Sequence, residues 1–278
     1  KLPGQLDQYP YLTVSDFLEP FIISLPYPIN RAKFYTGKVV WETQEKNISF
    51  LLPLNPVFFE FFDPDDLTST ATNSPDISLT VFPNSVRVAL RIRVGDGTHT
   101  MTLEREYENR SQVVQPHIDD LLKNKGYITE AEIGLAIYPD IQMEEGDKAQ
   151  YRFLLIDRDK NHKEQKLHFY KKEANSIVNP EGNPTTSRSN KELGDRETTS
   201  FYKLEQGFSY ARFSAAKGVG GILIPLLRRY TEGTERYRFA IDFGTTNTHI
   251  EYRVGNRIEP FEIVNDSQIV TLHDPAKD

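Results

Sequence analysis

Residues 241–248 read Ile-Asp-Phe-Gly-Thr-Thr-Asn-Thr, an aspartate at the end of an apolar strand followed by a small polar turn. These residue types suit a polyphosphate. Glycine at 244 lets the backbone approach an anion closely, so that successive N–H groups can point at phosphate oxygens. Thr245 and Thr246 add short hydroxyl donors. Asp242 is placed to hold the water shell of Mg²⁺, an ion that keeps several waters and takes few protein ligands. Phosphoryl transfer depends on such positioning more than on covalent chemistry. The plain alternative is a turn between strands, with Asp-x-Gly chosen for its geometry.

Other chemistry-bearing residues are sparser. The run 157–161, Asp-Arg-Asp-Lys-Asn, imitates the start of a calcium loop. Its sixth position is His162 where glycine is needed and its twelfth is His168 where a bidentate glutamate is needed, so a polar hairpin turn is expected. His162 and His168 have no third ligand nearby. Gly218-Val219-Gly220-Gly221 has the letters of a nucleotide contact but precedes the phosphate turn, and it reads as a turn before a strand. Arg87, Arg91 and Arg93 form a basic stripe on one strand face, able to grip a phosphate or an acidic partner. The bland reading, a solvated sheet surface partly neutralised by Glu104 and Glu106, is the expected one.

The 278 residues carry 38% hydrophobic and 12% aromatic side chains, enough for one large or two ordinary domains. A net charge of −7 argues against a general nucleic-acid binder. The chain has no cysteine, which rules out disulfides, thiolate metal sites and a cysteine nucleophile and fits a cytoplasmic protein. No apolar run approaches the ~20 residues of a membrane span.

The elements that must position these residues are mostly strands. Residues 86–94 and 98–107 form the clearest hairpin, joined by Gly95-Asp96-Gly97. A turn there sets Val94 opposite His99, Ile92 opposite Met101 and Leu90 opposite Leu103, with Arg87 facing Glu106. A one-residue slip would lose both the apolar and the charged matches. Further strands are expected at 38–42, 48–52, 77–82, 132–138, 151–156 and 167–171, and strand character returns at 208–213 and 221–225. Asn55-Pro56 opens a short helix bearing Phe58, Phe59, Phe61 and Phe62. A second is expected at 116–125, with Ile118, Leu121 and Leu122 on one face and Gly126 as its stop. Residues 172–200, polar and nearly free of apolar side chains, read as a flexible loop or linker. Residues 237–263 form a three-strand meander whose first bend is the Gly-Thr-Thr-Asn turn.

At Asp242–Thr248 the sequence resembles the actin, sugar-kinase and DnaK-type heat-shock chaperone superfamily. The likeness runs through about residues 238–272 and is greatest to the first phosphate motif of the DnaK-type chaperones. The resemblance implies Asp242 as the catalytic and magnesium-coordinating carboxylate. It implies Gly244, Thr245, Thr246 and Asn247 as the phosphate contacts, with ATP and Mg²⁺ as cofactors of the complete protein. The expected architecture is a mainly β, sandwich-like accessory domain with a few short helices, followed by the opening meander of an actin-like α/β ATPase domain. Its divisions are 1–171 for the accessory domain, 172–200 for the linker, 201–236 for the remaining accessory strands and 237–278 for the truncated nucleotide-binding domain. The family's second phosphate motif, its adenosine motif and its connecting helices would then lie beyond Asp278. The accessory domain would recognise a protein partner or client. The alternative is a non-catalytic β-sandwich interaction module whose C-terminal hairpin is structural.

Overall fold

The computed structural model describes residues 12–44, 47–71, 73–95, 97–109, 115–143, 150–157, 165–171, 177–179, 184–188, 198–215, 218–229, 233–244, 248–261 and 268–273. In chain order the first elements are α1 (Val14–Phe17), β1 (Phe21–Leu25), β2 (Phe34–Tyr35), β3 (Lys38–Trp41), β4 (Ser49–Phe50), a 3-10 turn (Pro56–Glu60) and α2 (Pro64–Thr68). They continue with β5 (Asp76–Val81), β6 (Ser85–Val94), β7 (His99–Glu108), α3 (Ile118–Leu122), β8 (Lys125–Glu130), β9 (Ile133–Tyr138), β10 (Ile141–Gln142) and β11 (Tyr151–Asp157). Next come β12 (Lys166–Tyr170), β13 (Ile177–Val178), β14 (Thr185–Arg188), β15 (Thr198–Leu204), β16 (Tyr210–Ser214), β17 (Gly220–Pro225) and β18 (Arg228–Arg229). The last are β19 (Tyr237–Phe243), β20 (Thr248–Val254), β21 (Arg257–Pro260) and β22 (Val270–Thr271).

These strands make a mainly β structure of mixed sheets. A seven-stranded sheet runs β3-β5-β6-β7-β8-β1-β4, and its β3–β5, β7–β8 and β8–β1 pairs are parallel. Two five-stranded antiparallel sheets run β14-β15-β11-β9-β22 and β13-β12-β16-β17-β2. A two-stranded pair, β10-β18, and the meander β19-β20-β21 complete the set.

The β6–β7 hairpin has the expected register, with Val94 on His99, Ile92 on Met101, Leu90 on Leu103 and Arg87 on Glu106. Its turn puts Gly95 and Gly97 at φ of +67° and +84°, a region open to glycine at little cost. Asn55 caps the 3-10 turn by accepting from the Val57 N–H at 3.0 Å.

The second expected helix differs. Only Ile118–Leu122 is helical, and of the apolar stripe Ile118 and Leu122 are exposed while Leu121 is half-buried. The chain leaves that helix at Asn124, which takes the left-handed conformation (φ 55°), and Gly126 lies inside β8. Gly126 is needed for close packing: a Cβ there would sit 2.6 Å from the Tyr107 ring and 2.8 Å from the Pro20 carbonyl oxygen. Within 172–200, β13 pairs with β12, while β14 and the start of β15 join the other five-stranded sheet. Backbone pairing holds β14 and the start of β15, whose polar residues do not mark them as strands, while β13 also buries Val178 in the first core.

Two apolar cores flank a shared middle layer. Every residue of β1 is buried, as are residues 220–224 of β17. Alternate side chains go opposite ways: Ile23, Leu25, Leu51 and Leu223 join one core, while Ile22, Leu52, Ile222 and Ile224 join the other. Leu52 bridges to Ile222 across this layer, and the Ile222 N–H donates to the Leu52 carbonyl at 2.8 Å. Close approach is possible because residue 221 has no side chain; a Cβ there would lie 2.6 Å from that of Leu51. Gly221→Ala is therefore expected to destabilise the protein by about 2 kcal/mol through overpacking, read from chemical denaturation. A change under about 0.5 kcal/mol would show that the layer is looser than described.

A buried polar cluster sits at the junction of α1, β7 and β16. Arg105 donates to the Leu18 carbonyl (2.9 Å) and the Ser15 hydroxyl (2.6 Å), Tyr107 donates to the Glu19 carbonyl (2.8 Å), and Arg212 pairs with the Glu19 carboxylate (3.1 Å). Burial raises the Glu19 carboxyl above its ordinary value of 4.5, and the attraction of Arg212 only partly opposes it. A carboxyl that is harder to ionise in the folded state lowers stability as pH rises past its unfolded value. Relative to Glu19→Gln, the wild type should thus lose thermal stability as pH climbs from 4.5 toward neutrality. A gap that stays constant, or moves the other way, would contradict this account of Glu19.

Candidate functional site

The phosphate-type turn is carried by a regular hairpin. β19 and β20 are antiparallel from Tyr237↔Val254 to Phe243↔Thr248, and Asp242 lies opposite His249 at the next-to-last pair. β21 adds on the far side of β20, with Arg253 on Ile258 and Tyr252 on Glu259. Asp242 is thus fixed two residues before Gly244, at the turn end of a strand, and both are exposed. Thr245, Thr246 and Asn247 lie outside the described residues, so the structure places the two ends of the turn.

The strand period gives the hairpin two unlike faces. One carries Arg238, Asp242, His249, Glu251 and Arg253, and the His249 ring lies 3.2 Å from the Glu251 carboxylate. Asp242 therefore stands among polar side chains with water access. A lone exposed carboxylate fits the few protein ligands that Mg²⁺ accepts. Among the described residues no group of three His, Asp or Glu side chains is spaced to hold a metal by itself. His249 is a partner the motif letters do not reveal, although counting outward from the turn gives it.

The other face is apolar and uncovered. Tyr237, Phe239, Ile241 and Phe243 are 50–79% exposed. The rings of Tyr237, Phe239, Tyr252 and Phe261 form a continuous cluster with centroid separations of 5.7–6.4 Å. Glu259 closes one margin by accepting from the Tyr252 hydroxyl at 2.7 Å, and that hydrogen bond holds the phenol above its ordinary value. Among the described residues, the meander's strands are hydrogen-bonded in sheets only to each other. An exposed aromatic face of this extent on a sheet is unusual for a surface in water.

After the meander the chain returns to the β body. β22 pairs with β9, Val270 on Ile137 and Thr271 on Ala136. Val270 and Leu272 are fully buried in the first core. The Asn30 N–H donates to the Leu272 carbonyl and the Asp140 N–H to the Gln268 carbonyl, both at 2.8 Å. Asp140 itself, fully buried, takes ion pairs from Lys33 and from Arg228 (3.2 Å), the latter on the strand that leads out to the meander. The excursion is clamped at both of its roots.

The remaining sequence candidates separate clearly. Of the calcium-like run, Asp157 ends β11 in a buried position, and 158–164, including His162, lie outside the described residues. His168 lies 3.1 Å from the Ser214 hydroxyl across β12–β16, and burial with the charges of Arg212 and Lys166 pushes its pKa down. Gly218 takes a positive φ of 76° in the turn before β17, while Gly220 and Gly221 belong to that strand. Phe58 and Phe59 are buried, Phe59 stacking on Tyr210 at 3.9 Å, and Phe62 packs against that core, whereas Phe61 is exposed.

Because Phe239 contributes to no buried core, Phe239→Ser should change unfolding free energy by less than about 0.5 kcal/mol. The same variant should bind less of an apolar fluorescent dye. A loss of stability near 3 kcal/mol would mean the ring is packed in solution.

No helix among the described residues is long and apolar enough to cross a membrane. No protein-family model matches the chain, and no curated protein or solved structure is significantly similar to it.

Proposed function

We propose that the meander is the opening phosphate-binding hairpin of an actin- or DnaK-like ATP-binding domain and that the β body is its partner-recognition domain. The carrying observation is the conjunction of Asp242 and Gly244 at the turn end of a regular hairpin with an uncovered aromatic face behind it. Sheets of α/β domains are covered on their faces by helices, and Tyr237, Phe239, Ile241 and Phe243 are the kind of residues such helices cover. The reading requires further chain to supply that cover and the opposing lobe of a cleft.

In this reading the Gly244 backbone together with Thr245, Thr246 and Asn247 would hold the phosphates of the nucleotide. Asp242 accepts from metal-bound water at the mouth of the turn. Bound Mg²⁺ would neutralise phosphate charge as it shifts in the transition state. The chain's own task is to hold donors in place before the nucleotide arrives, which a hairpin fixed by seven cross-strand pairs can do. The clamped roots of the meander would let closure of an ATP cleft pull on β18 and β22, and through them on the body.

A second reading rests on β22. Because the chain re-enters the core after the meander, the whole unit can be a non-catalytic β interaction module in which the aromatic face receives a protein partner. ATP turnover by the protein as encoded separates the two. The first reading expects Mg²⁺-dependent hydrolysis that Asp242→Asn lowers at least 100-fold while the melting temperature holds, since Asp242 is exposed. Residues 1–278 alone should bind Mg-ATP weakly or not at all. Hydrolysis unaffected by Asp242→Asn removes Asp242 from the site, and no turnover at all favours the interaction module.

A further inference from the structure

The outer face of the seven-stranded sheet is divided by charge. On β7 the acidic residues Glu104 and Glu106 stand across from Ala89 and Arg87. Glu106 also accepts from the Ser85 hydroxyl at 3.0 Å, and the Arg87 guanidinium lies over the Phe82 ring at 5.5 Å. Of the two glutamates expected to neutralise the arginine stripe, Glu106 thus faces Arg87 and Glu104 faces Ala89. Arg91 and Arg93 face Thr102 and Thr100 instead.

At that end the sheet surface is walled by the segment after α2, and together they form a cleft of about 600 Å³. Lys38, Arg91 and Arg93 line it, against one carboxylate, Asp76. Asp76 pairs with both Lys38 (3.1 Å) and Arg91 (3.4 Å), and Arg91 also donates to the Ser78 hydroxyl at 3.0 Å. Lys38 and Arg91 thus share this one carboxylate. The third cation, Arg93, lies two residues farther along the same face, a repeat of ~7 Å. Among the described residues it donates to the Gly97 carbonyl at 3.4 Å and to no carboxylate. The rest of the lining is rich in hydroxyls, with Ser69, Thr70, Ser74 and Thr100 among them. The Ser69 oxygen already accepts from the Ala71 N–H at 3.1 Å, which fixes it and leaves its own proton for a ligand.

We propose that this cleft binds a small polyol carrying a tetrahedral oxyanion ester. Arg91 and Arg93 are spaced to donate to different oxygens of one such group, in the charge-assisted manner that guanidinium favours. The hydroxyl wall matches the exchangeable donors and acceptors of a polyol, and the volume is that of a small-molecule site. In a chain of net charge −7, an excess of cations over carboxylates in one walled cleft is a local departure from the general surface. The site is separate in sequence and sheet from the Asp242 hairpin and does not depend on the function proposed for it.

Calorimetric titration with glucose 6-phosphate, glucose 6-sulfate and unmodified glucose tests the inference directly. At least one ester should bind with a millimolar or lower Kd and glucose at least tenfold more weakly; which ester binds identifies the oxyanion. Arg93→Ala should weaken the ester at least tenfold without moving the melting temperature, because Arg93 is exposed. Asp242→Asn should leave the titration unchanged. The proposal is overturned if neither ester binds better than glucose, if Arg93→Ala binds as the wild type does, or if Asp242→Asn abolishes binding.

Discussion

β1 and β17 are buried on both faces, and each sends alternate side chains into a different core. A strand in that position cannot slip by one residue without exchanging every contact on both sides. Ile222 and Ile224 must face the helical end of the molecule, where Phe58, Phe59 and Tyr210 lie, and Leu223 must face Phe169 and Phe213. The layer also has to be thin, and Gly221 against Leu51 makes it so. From this middle layer the seven-stranded sheet extends on one side through β1. The sheet of β12, β16 and β17 extends on the other, with the sheet of β9, β11 and β15 packed on the same first core.

The buried charges follow from the same geometry. Chains that cross between cores bring polar groups with them, and each is met by a partner: Arg105 by the Leu18 carbonyl and Ser15, Glu19 by Arg212, Asp140 by Lys33 and Arg228. Such pairs contribute little net stability after desolvation, but losing one partner is costly, so they restrict how the segments can be arranged. Asp140 is the instructive case, since it ties the strand leaving for the meander to the loop that precedes β10. The two proposed sites lie outside the cores, on the meander and on the outer face of the large sheet.

What could be read from the sequence divides along physical lines. The β6–β7 hairpin was legible because local turn chemistry and cross-strand matching agreed, and Leu90 on Leu103 with Arg87 on Glu106 left one register. The β19–β20 hairpin around Asp242 was legible from alternating strands on either side of a Gly-Thr-Thr-Asn turn. β1 and β8 were not. β8 lies parallel to both β1 and β7, β1 meets β4 over only two antiparallel pairs, and parallel pairing is set by contacts distant in sequence that leave no turn signature. The 118–122 segment has helical spacing of apolar residues, yet only Leu121 of them is half-buried, so the stripe overstated the helix. β14 lies in polar sequence and is held by backbone pairing to β15, while β13 is too short to announce itself although Val178 enters the first core. Gly126 and Gly221 look like turn residues in isolation, and only three-dimensional contacts reveal them as spacers. For the candidate site, the motif located Asp242 and Gly244, while the uncovered aromatic face and the return of β22 to the core were beyond local reading.

The central claim is that the turn after Asp242 is where a nucleotide's phosphates are held. Amide hydrogen exchange of the protein as encoded, with and without saturating Mg-ATP, measures this at the backbone itself. The account predicts slowed exchange in the peptide spanning residues 240–250, because the N–H groups of the turn become hydrogen-bonded to phosphate oxygens. Nucleotide binding that protects other segments and leaves exchange in 240–250 unchanged would contradict it.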